Sequence, residues 1–140
     1  MLIIADSSAL VALVLCDGLT LLDQLFDKIK VPQSVFEEVL VKGKPAAGIL
    51  RTYLKEKVVP VDMTQAIIMP ARIGQGEMEA MALYKSLHAD YLLVDDQRAR
   101  KIARLNQIKI TGSQGVLLLA KHTGLITKIR PFLERLQASG

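Results

Sequence analysis

The sequence predicts an α/β fold, a three-layer α/β/α sandwich with helices on both faces of a central parallel sheet of about five strands. Short apolar runs rich in branched residues alternate along the chain with longer segments of helical periodicity. These runs place apolar residues at consecutive positions, which is typical of parallel strands buried on both faces. The 140 residues contain no linker, repeat or long charge block, so we expect one domain over residues 1–140.

Five apolar runs are predicted as strands because each is short and rich in branched residues. They comprise residues 2–5, 29–31, 58–61, 91–94 and 108–110. Eight helices are predicted from the periodicity of the intervening segments. They comprise residues 8–15, 20–26, 34–41, 46–56, 76–88, 97–105, 113–122 and 128–137.

Three residues support the predicted helix boundaries. Ser113 follows a Thr-Gly pair and is a favourable residue at a helix start. Gly124 lies just beyond a Lys-His pair, where glycine commonly ends a helix. Pro131 falls in the first turn of the last helix, where its missing N–H costs little.

Charge is distributed unevenly along the chain. Residues 1–27 contain four Asp and no Lys or Arg, whereas the remaining residues carry 18 cations and 10 acids, a net charge of +8. An acidic start followed by a basic body favours a protein that binds a polyanion and has a local carboxylate site. Uneven charge on an ordinary solvated surface is the alternative at this point.

The composition excludes several classes of site. The single Cys and the two widely separated His exclude a disulfide framework and make a zinc site unfavourable, so any cation site has to be built from carboxylates. The apolar N-terminus lacks a basic leader and contains Asp6, which argues against a signal peptide or membrane span. We expect a cytoplasmic protein that does not associate with membranes.

Acidic residues follow two of the predicted strands at the point where each strand ends. Asp6 closes the first strand, and Asp95 and Asp96 close the fourth. If these strands are neighbours, their acids meet in one crevice, and the repulsion between them calls for a proton or a divalent cation. Oxygen-only ligands favour Mg²⁺ or Mn²⁺. The alternative is that these acids only cap the helices that follow them.

Two pairs of glutamates lie near predicted helix starts. Glu37 and Glu38 follow the second strand, and Glu77 and Glu79 precede the fourth. Acids in a first helical turn are stabilised by the helix dipole whatever their function. The periodicity does not select one member of either pair.

The order of these motifs resembles the PIN-domain superfamily of metal-dependent nucleases, in particular a compact prokaryotic branch similar to VapC-type toxin ribonucleases. Each motif is weak alone, and the joint order over almost the whole chain makes the resemblance specific. The motifs are residues 6–10 (DSSAL), Val31-Pro32 with Val35 and Glu38-Val39, residues 76–80 (GEMEA), residues 92–98 (LLVDDQR) and residues 110–113 (ITGS).

The resemblance implies a strand order of 3-2-1-4-5 and assigns the site residues by position. The family acids fall on Asp6, Glu38, Glu77 and Asp96, with Asp95 where relatives more often carry a hydroxyl residue. Glu77 stands where an Asp is more usual, and the extra Asp95 makes the position of the last acid ambiguous. Asp6, Glu77 and Asp95 or Asp96 are then the expected metal ligands, oriented with Glu38.

The function implied by the resemblance is hydrolysis of single-stranded RNA by a Mg²⁺- or Mn²⁺-dependent endoribonuclease, as the toxin of a toxin–antitoxin pair. Ser7 is expected to bond a ligand carboxylate or a water, with a helix cap as the alternative. A non-catalytic RNA-binding or regulatory module is the competing function. A phosphoacceptor receiver domain is disfavoured because a single acid follows the first strand.

Two further features point to partners. Arg98, Lys101 and Arg104 recur every three residues and share one helix face, which would hold an RNA backbone or simply be solvated. The helices after the first strand are rich in leucine, which predicts a homodimer or antitoxin interface. The leucine-rich set comprises Leu13, Leu15, Leu19, Leu21, Leu22, Leu25 and Phe26.

Overall fold

The computed structural model describes residues 1–42, 45–62 and 73–139, and its centre is an all-parallel sheet of four strands. The strands are β1 (Leu2–Ala5), β2 (Lys28–Lys30), β3 (Tyr91–Leu93) and β4 (Ile110–Thr111). Their order across the sheet is β2-β1-β3-β4. The first strand of the chain is therefore central, and the predicted fourth strand, here β3, is its direct neighbour.

The register of the central strands aligns the residues that follow them. Ile3 of β1 pairs with Ile29 of β2 on one side and with Tyr91 of β3 on the other. The backbone N–H of Asp6 donates to the carbonyl of Leu93 at 2.8 Å, so the pairing continues one residue past β1. Because the strands are parallel, the segments after β1 and β3 leave the sheet at the same edge.

The prediction of a full strand at residues 58–61 is wrong. A single isolated parallel bridge joins Val58 to Val31, with one hydrogen bond from Val31 N–H to Lys57 and one from Val59 N–H to Val31. Pro60 follows at once and has no N–H to donate to a longer ladder. The bridge lies beyond β2, at the edge where the order 3-2-1-4-5 requires the missing strand.

Every predicted helix is present, with ends within two residues of the expected ones. Helices 97–105 and 113–122 match at both ends. The described residues form eight helices: α1 (Ser7–Leu15), α2 (Thr20–Leu25), α3 (Gln33–Lys42), α4 (Ala47–Leu54), α5 (Gln75–Ser86), α6 (Gln97–Leu105), α7 (Ser113–His122) and α8 (Arg130–Ser139).

The sheet separates two apolar cores, one on each face. Ile3 and Leu93 belong to a core built with α1, α2, α3, α4 and α7, against which α8 packs half-buried side chains. Ile4 and Leu92 belong to the opposite core, built with α5 and α6. The central strands β1 and β3 therefore contribute apolar residues to both cores, which explains their consecutive apolar residues and gives the three layers that the sequence predicts.

The leucine-rich segment after β1 is explained by this core. Leu13, Leu19, Leu21, Leu22 and Phe26 are buried within the monomer, and only Leu15 and Leu25 of the predicted set are half-buried. The apolar pattern therefore does not require a partner, and a homodimer or antitoxin interface here stays a prediction. Within the described ranges, no helix combines the length and apolarity needed to span a membrane.

In the part of the chain that the structure describes, four helices end in the same left-handed turn. The residues with positive φ are Asp17 (62°), His88 (51°), Gln107 (60°) and Gly124 (84°). After each, the next backbone N–H donates to a carbonyl five residues earlier, as from Ile108 to Ala103 at 3.0 Å. The predicted stop at Gly124 is confirmed. The other three ends use residues with a Cβ, for which the left-handed region is unfavourable.

Replacing Gln107 by glycine should therefore stabilise the protein. Glycine adopts the required φ without strain, and we expect the free energy of unfolding to rise by roughly 0.5–1 kcal/mol after the entropy cost of glycine. Thermal unfolding of Gln107→Gly and Gln107→Ala makes the comparison, because alanine removes the side chain but keeps the strained Cβ. Equal melting temperatures for the two variants would contradict the presence of backbone strain at Gln107.

Candidate active site

Asp6 is a buried acid whose position at the start of α1 does not explain its burial. The residue is 1% exposed and has the extended backbone of a helix cap, yet its carboxylate makes no capping hydrogen bond to α1. Oδ2 accepts a bond from the Ser8 hydroxyl at 3.3 Å, while Oδ1 has no hydrogen-bond partner among the described residues. Burying an unpaired carboxylate oxygen is unfavourable. A capping role therefore does not account for Asp6.

The surroundings of Asp6 disfavour its ionised form. Burial, which is the largest cause, and the negative charges of Glu77 and Glu38 together raise the pKa of its carboxyl from 3.8 to about 7. The backbone N–H of Ser7 and the hydroxyl of Ser8 oppose this effect. At neutral pH the carboxyl is therefore close to the midpoint of its titration, and a cation beside it would favour the ionised form.

Two helices on either side of the sheet edge bring Glu38 and Glu77 to Asp6. Glu77 is the third residue of α5, and its Oε2 accepts a hydrogen bond from the backbone N–H of Gly74 at 2.5 Å. Glu38 lies on α3, with its carboxylate against Gly76 of α5. A Cβ at position 76 would lie 2.7 Å from Oε2 of Glu38, so glycine is what lets the two helices approach here.

The structure distinguishes the members of each glutamate pair, which the periodicity does not do and for which the resemblance implies Glu38 and Glu77. Glu37 is exposed and accepts a hydrogen bond from Gln33 on its own helix. Glu79 accepts hydrogen bonds from Ser34 at 2.8 Å and from Gln75 at 2.7 Å. Glu38 and Glu77 are the members of the pairs whose charges act on Asp6.

Asp95 is connected to Asp6 through Ser8. The backbone N–H of Asp95 donates to the Ser8 hydroxyl oxygen at 3.1 Å, and that hydroxyl donates in turn to Asp6. The carboxylate of Asp95 accepts two bonds from Ser113, from its N–H at 2.7 Å and from its hydroxyl at 2.6 Å. Asp95 thus ties the end of β3 to the starts of both α1 and α7.

Asp96 has a different environment from its neighbour. Its side chain is exposed and its Oδ2 accepts a hydrogen bond from the backbone N–H of Ala99 at 2.8 Å, which caps α6. Asp96 therefore caps the helix that follows it, as the alternative interpretation of these acids predicts, whereas Asp95 does not cap that helix. Both acids remain at the same sheet edge as Asp6, as the adjacency of β1 and β3 requires.

Ser8, which the sequence did not single out, and not the predicted Ser7, is the serine whose hydroxyl connects the acids. Ser7 contributes its backbone N–H to the field at Asp6, whereas the Ser8 hydroxyl bonds both Asp6 and the segment after β3. Which of two adjacent hydroxyls faces the neighbouring strand depends on how α1 is rotated on the sheet. The sequence contains no signal that sets this rotation.

The donor set fits a hard divalent cation. Across residues 1–42, 45–62 and 73–139, no three His, Cys, Asp or Glu side chains are gathered closely enough to form a complete metal site as they stand. Mg²⁺, however, normally takes one or two protein carboxylates and completes its shell with water and phosphate oxygens. Asp6, with its unpaired Oδ1, and Glu77 meet that requirement.

One face of α6 is basic and begins beside these acids. Arg98, Lys101 and Arg104 are all exposed, while Ala99 and Ile102 on the opposite face are buried. The three cations therefore point into solvent from one surface. Arg100 differs from them because it is half-buried and donates from Nη1 to the carbonyl of Val94 at 2.9 Å.

Comparison with known families gives an observation independent of this geometry. A model described as DUF3368: PIN domain matches residues 2–140 of the chain. The match includes β1 to β4 and every acid described above. No curated protein matches the chain.

Asp6 should make the stability of the metal-free protein depend on pH. Because its folded pKa is raised, its contribution to stability is present below pH 3.8 and is lost as the pH rises through about 7. Asp6→Asn removes this dependence. Its advantage over the wild type should therefore grow by up to about 4 kcal/mol between pH 4 and pH 8.

Urea unfolding at several pH values in the presence of a chelator measures this difference. Glu37→Gln is the matched control, because it removes an exposed acid from the neighbouring helix α3. Its pH profile should follow that of the wild type. A constant difference between wild type and Asp6→Asn at every pH would show that Asp6 is not destabilised by its surroundings.

Proposed function

The chain belongs to the PIN-domain family, whose members are typically nucleases that bind divalent metal ions, and from this we propose a Mg²⁺- or Mn²⁺-dependent endoribonuclease that acts on single-stranded RNA. The observation that carries the proposal is the buried Asp6 carboxylate, which has an unpaired oxygen and lies within the field of two glutamates. A helix cap does not account for the unpaired oxygen. A cation bound there would compensate both that oxygen and the two neighbouring negative charges.

Asp6 and Glu77 are the proposed ligands of the ion, with Asp95 or Asp96 contributing from the end of β3. Glu38, whose carboxylate lies against Gly76 of α5, would orient a water of the ion's shell. When bound, a divalent ion supplies a nucleophilic water at neutral pH and stabilises negative charge on the leaving oxygen of a phosphodiester. The protein's own residues would position the acids and bind the RNA.

Hydrogen bonds hold the acids in place for this chemistry. Ser8 fixes one oxygen of Asp6 and the backbone at Asp95, and Ser113 fixes both oxygens of the Asp95 carboxylate. Such supporting bonds commonly change metal affinity or activity by about 10- to 100-fold when they are removed. With both oxygens bonded, Asp95 is suited to positioning the site, and Asp96 has an exposed oxygen beyond its cap.

The basic face of α6 is the proposed contact for the RNA backbone. Arg98, Lys101 and Arg104 would bind phosphates without reading bases, which holds the strand beside the acids at the start of the helix. Aromatic residues make up 4% of the chain and Trp is absent, so stacking contributes little to binding. Electrostatic attraction should therefore dominate the affinity.

The resemblance to VapC-type ribonucleases extends the proposal to a toxin with an antitoxin partner. A toxic ribonuclease should arrest the growth of cells that express it, and the Asp6→Asn variant should not. Growth arrest by both proteins would point to an effect other than RNA cleavage. Normal growth of the cells, together with RNA cleavage in vitro, would support the proposed nuclease activity and contradict the proposed toxin role.

RNA cleavage tests the proposed activity directly. We expect the wild type to cut single-stranded RNA with Mg²⁺ or Mn²⁺ and to stop with a chelator, and Asp6→Asn and Glu77→Gln to lose at least about 100-fold in rate. Glu37→Gln and Glu79→Gln are matched controls because each removes the other glutamate of a pair. Equal rates for Asp6→Asn and the wild type would indicate a contaminating nuclease.

The competing function, RNA binding without catalysis, gives a separate result. RNA would then bind tightly and stay intact under every metal condition, with Asp6→Asn binding as the wild type does. All the family acid positions are filled in this chain, which favours catalysis over that alternative.

The α6 cations should determine how RNA binding depends on salt. Replacing Arg98, Lys101 and Arg104 together by Gln should weaken binding and reduce the slope of log affinity against log salt by about 2, since each single-strand phosphate contact contributes about 0.7. The control replaces Lys121, Lys128 and Arg130, which are also exposed but lie outside α6. An equal loss in the control would mean that only net charge matters.

A further inference from the structure

A cavity of about 470 Å³ opens beside Asp95, between α6 and the segment that joins β4 to α7. Gln97 and Arg100 line it from α6, Ile110 and Thr111 from β4, and Gln114 from the first turn of α7. Its volume is within the range of sites that take small molecules. None of the roles assigned above uses the two glutamines of this cavity.

The lining combines hydrogen-bonding groups with one apolar wall. Gln97 and Gln114 are exposed, and in the described part of the chain neither amide has a hydrogen-bond partner. Each amide presents donors and an acceptor side by side, the pattern that pairs with the edge of a nucleobase. Half-buried Ile110 offers an apolar surface, and Arg100 is held at the wall by its bond to Val94.

Two glycines shape the wall of this cavity. A Cβ at Gly112 would lie 2.7 Å from Nη1 of Arg100 and 2.8 Å from Oδ1 of Asp95. A Cβ at Gly115 would lie 2.5 Å from the Thr111 hydroxyl. Any larger residue at either position would displace groups that line the cavity. The absence of a side chain at positions 112 and 115 therefore leaves room for Arg100, Asp95 and Thr111 at the wall of the cavity.

The position of the cavity relates it to the path of a bound strand. Gln97 and Arg100 alternate along α6 with Arg98 and Lys101 of the basic face, so a polyanion held by that face passes next to the cavity. A single arginine among amides, a hydroxyl and an isoleucine is a weak phosphate site. The same groups suit a planar, polar base with one apolar face.

We propose that this cavity binds an unpaired nucleobase next to the scissile phosphate, with Gln97 and Gln114 reading the base edge and so giving the enzyme its base preference. The inference rests on the proposed function, because it names the part of an RNA substrate that the cavity recognises. Arg100 is the positioning residue that keeps the wall of the cavity in place.

Cleavage of an RNA series tests the preference. Substrates that differ in one base at the cut site should be cleaved by the wild type with different kcat/KM values, and Gln97→Ala and Gln114→Ala should reduce that discrimination by at least about 5-fold. Gln24→Ala removes an exposed amide from α2 and should leave discrimination unchanged. Unchanged base preference in both cavity variants would overturn the inference while leaving the nuclease intact.

Binding separates the two proposals when cleavage is absent. Fluorescence anisotropy with labelled pentamers of A, C or U measures base preference in the Asp6→Asn protein, with and without Gln114→Ala. A preference that Gln114→Ala abolishes supports the cavity even if the wild type cuts nothing, which would remove only the proposed activity. Equal affinity for the three pentamers, or no RNA binding, overturns the cavity proposal.

Discussion

The burial of one carboxylate at the end of the central strand is the constraint on which the site depends. Asp6 follows β1 directly, and β1 has a parallel strand on each side, so its end lies inside the molecule. The bond from Asp6 N–H to Leu93 fixes the residue beside the end of β3. The sheet therefore determines where the acid lies, and the negative charges of Glu77 and Glu38 make the ionised acid unfavourable without a cation.

The other acids divide between supporting this arrangement and forming ordinary structure. Asp95 joins three segments through Ser8 and Ser113, so its loss would disturb the site through the backbone as well as through charge. Asp96, its neighbour in sequence, caps α6, which is the helix with the basic face. Glu37, next to Glu38, accepts a bond from Gln33 of its own helix, and Glu79, two residues after Glu77, accepts a bond from Ser34 of α3. Adjacent acids of the same type thus have separate roles, which geometry distinguishes and composition does not.

The features of the fold that depend on local sequence pattern were predictable. Those that depend on how a helix is rotated, or on contacts between distant elements, were not. Consecutive apolar residues and helical periodicity are properties of the sequence, so the helices and the four strands were predicted from them. The meeting of Asp6 with the segment after β3 followed from the strand order that the resemblance implies. The prediction of a strand at 58–61 was wrong because Pro60 ends the pairing after one bridge. The choice of Ser8 over Ser7 depends on how α1 is rotated against its neighbours. Local pattern did not distinguish Glu38 from Glu37 either, and only the resemblance selected Glu38. The leucines after β1 predicted an interface because their burial by the other helices is a tertiary property.

The central claim is that Asp6 and its neighbouring glutamates bind a divalent cation. The most direct test is a Mn²⁺ titration followed by the electron paramagnetic resonance signal of the free ion, on wild type, Asp6→Asn and Glu37→Gln without nucleic acid. The account predicts that wild type and Glu37→Gln take up Mn²⁺ equally and that Asp6→Asn binds at least about 10-fold more weakly. Equal Mn²⁺ uptake by all three proteins, or none by the wild type, would contradict it.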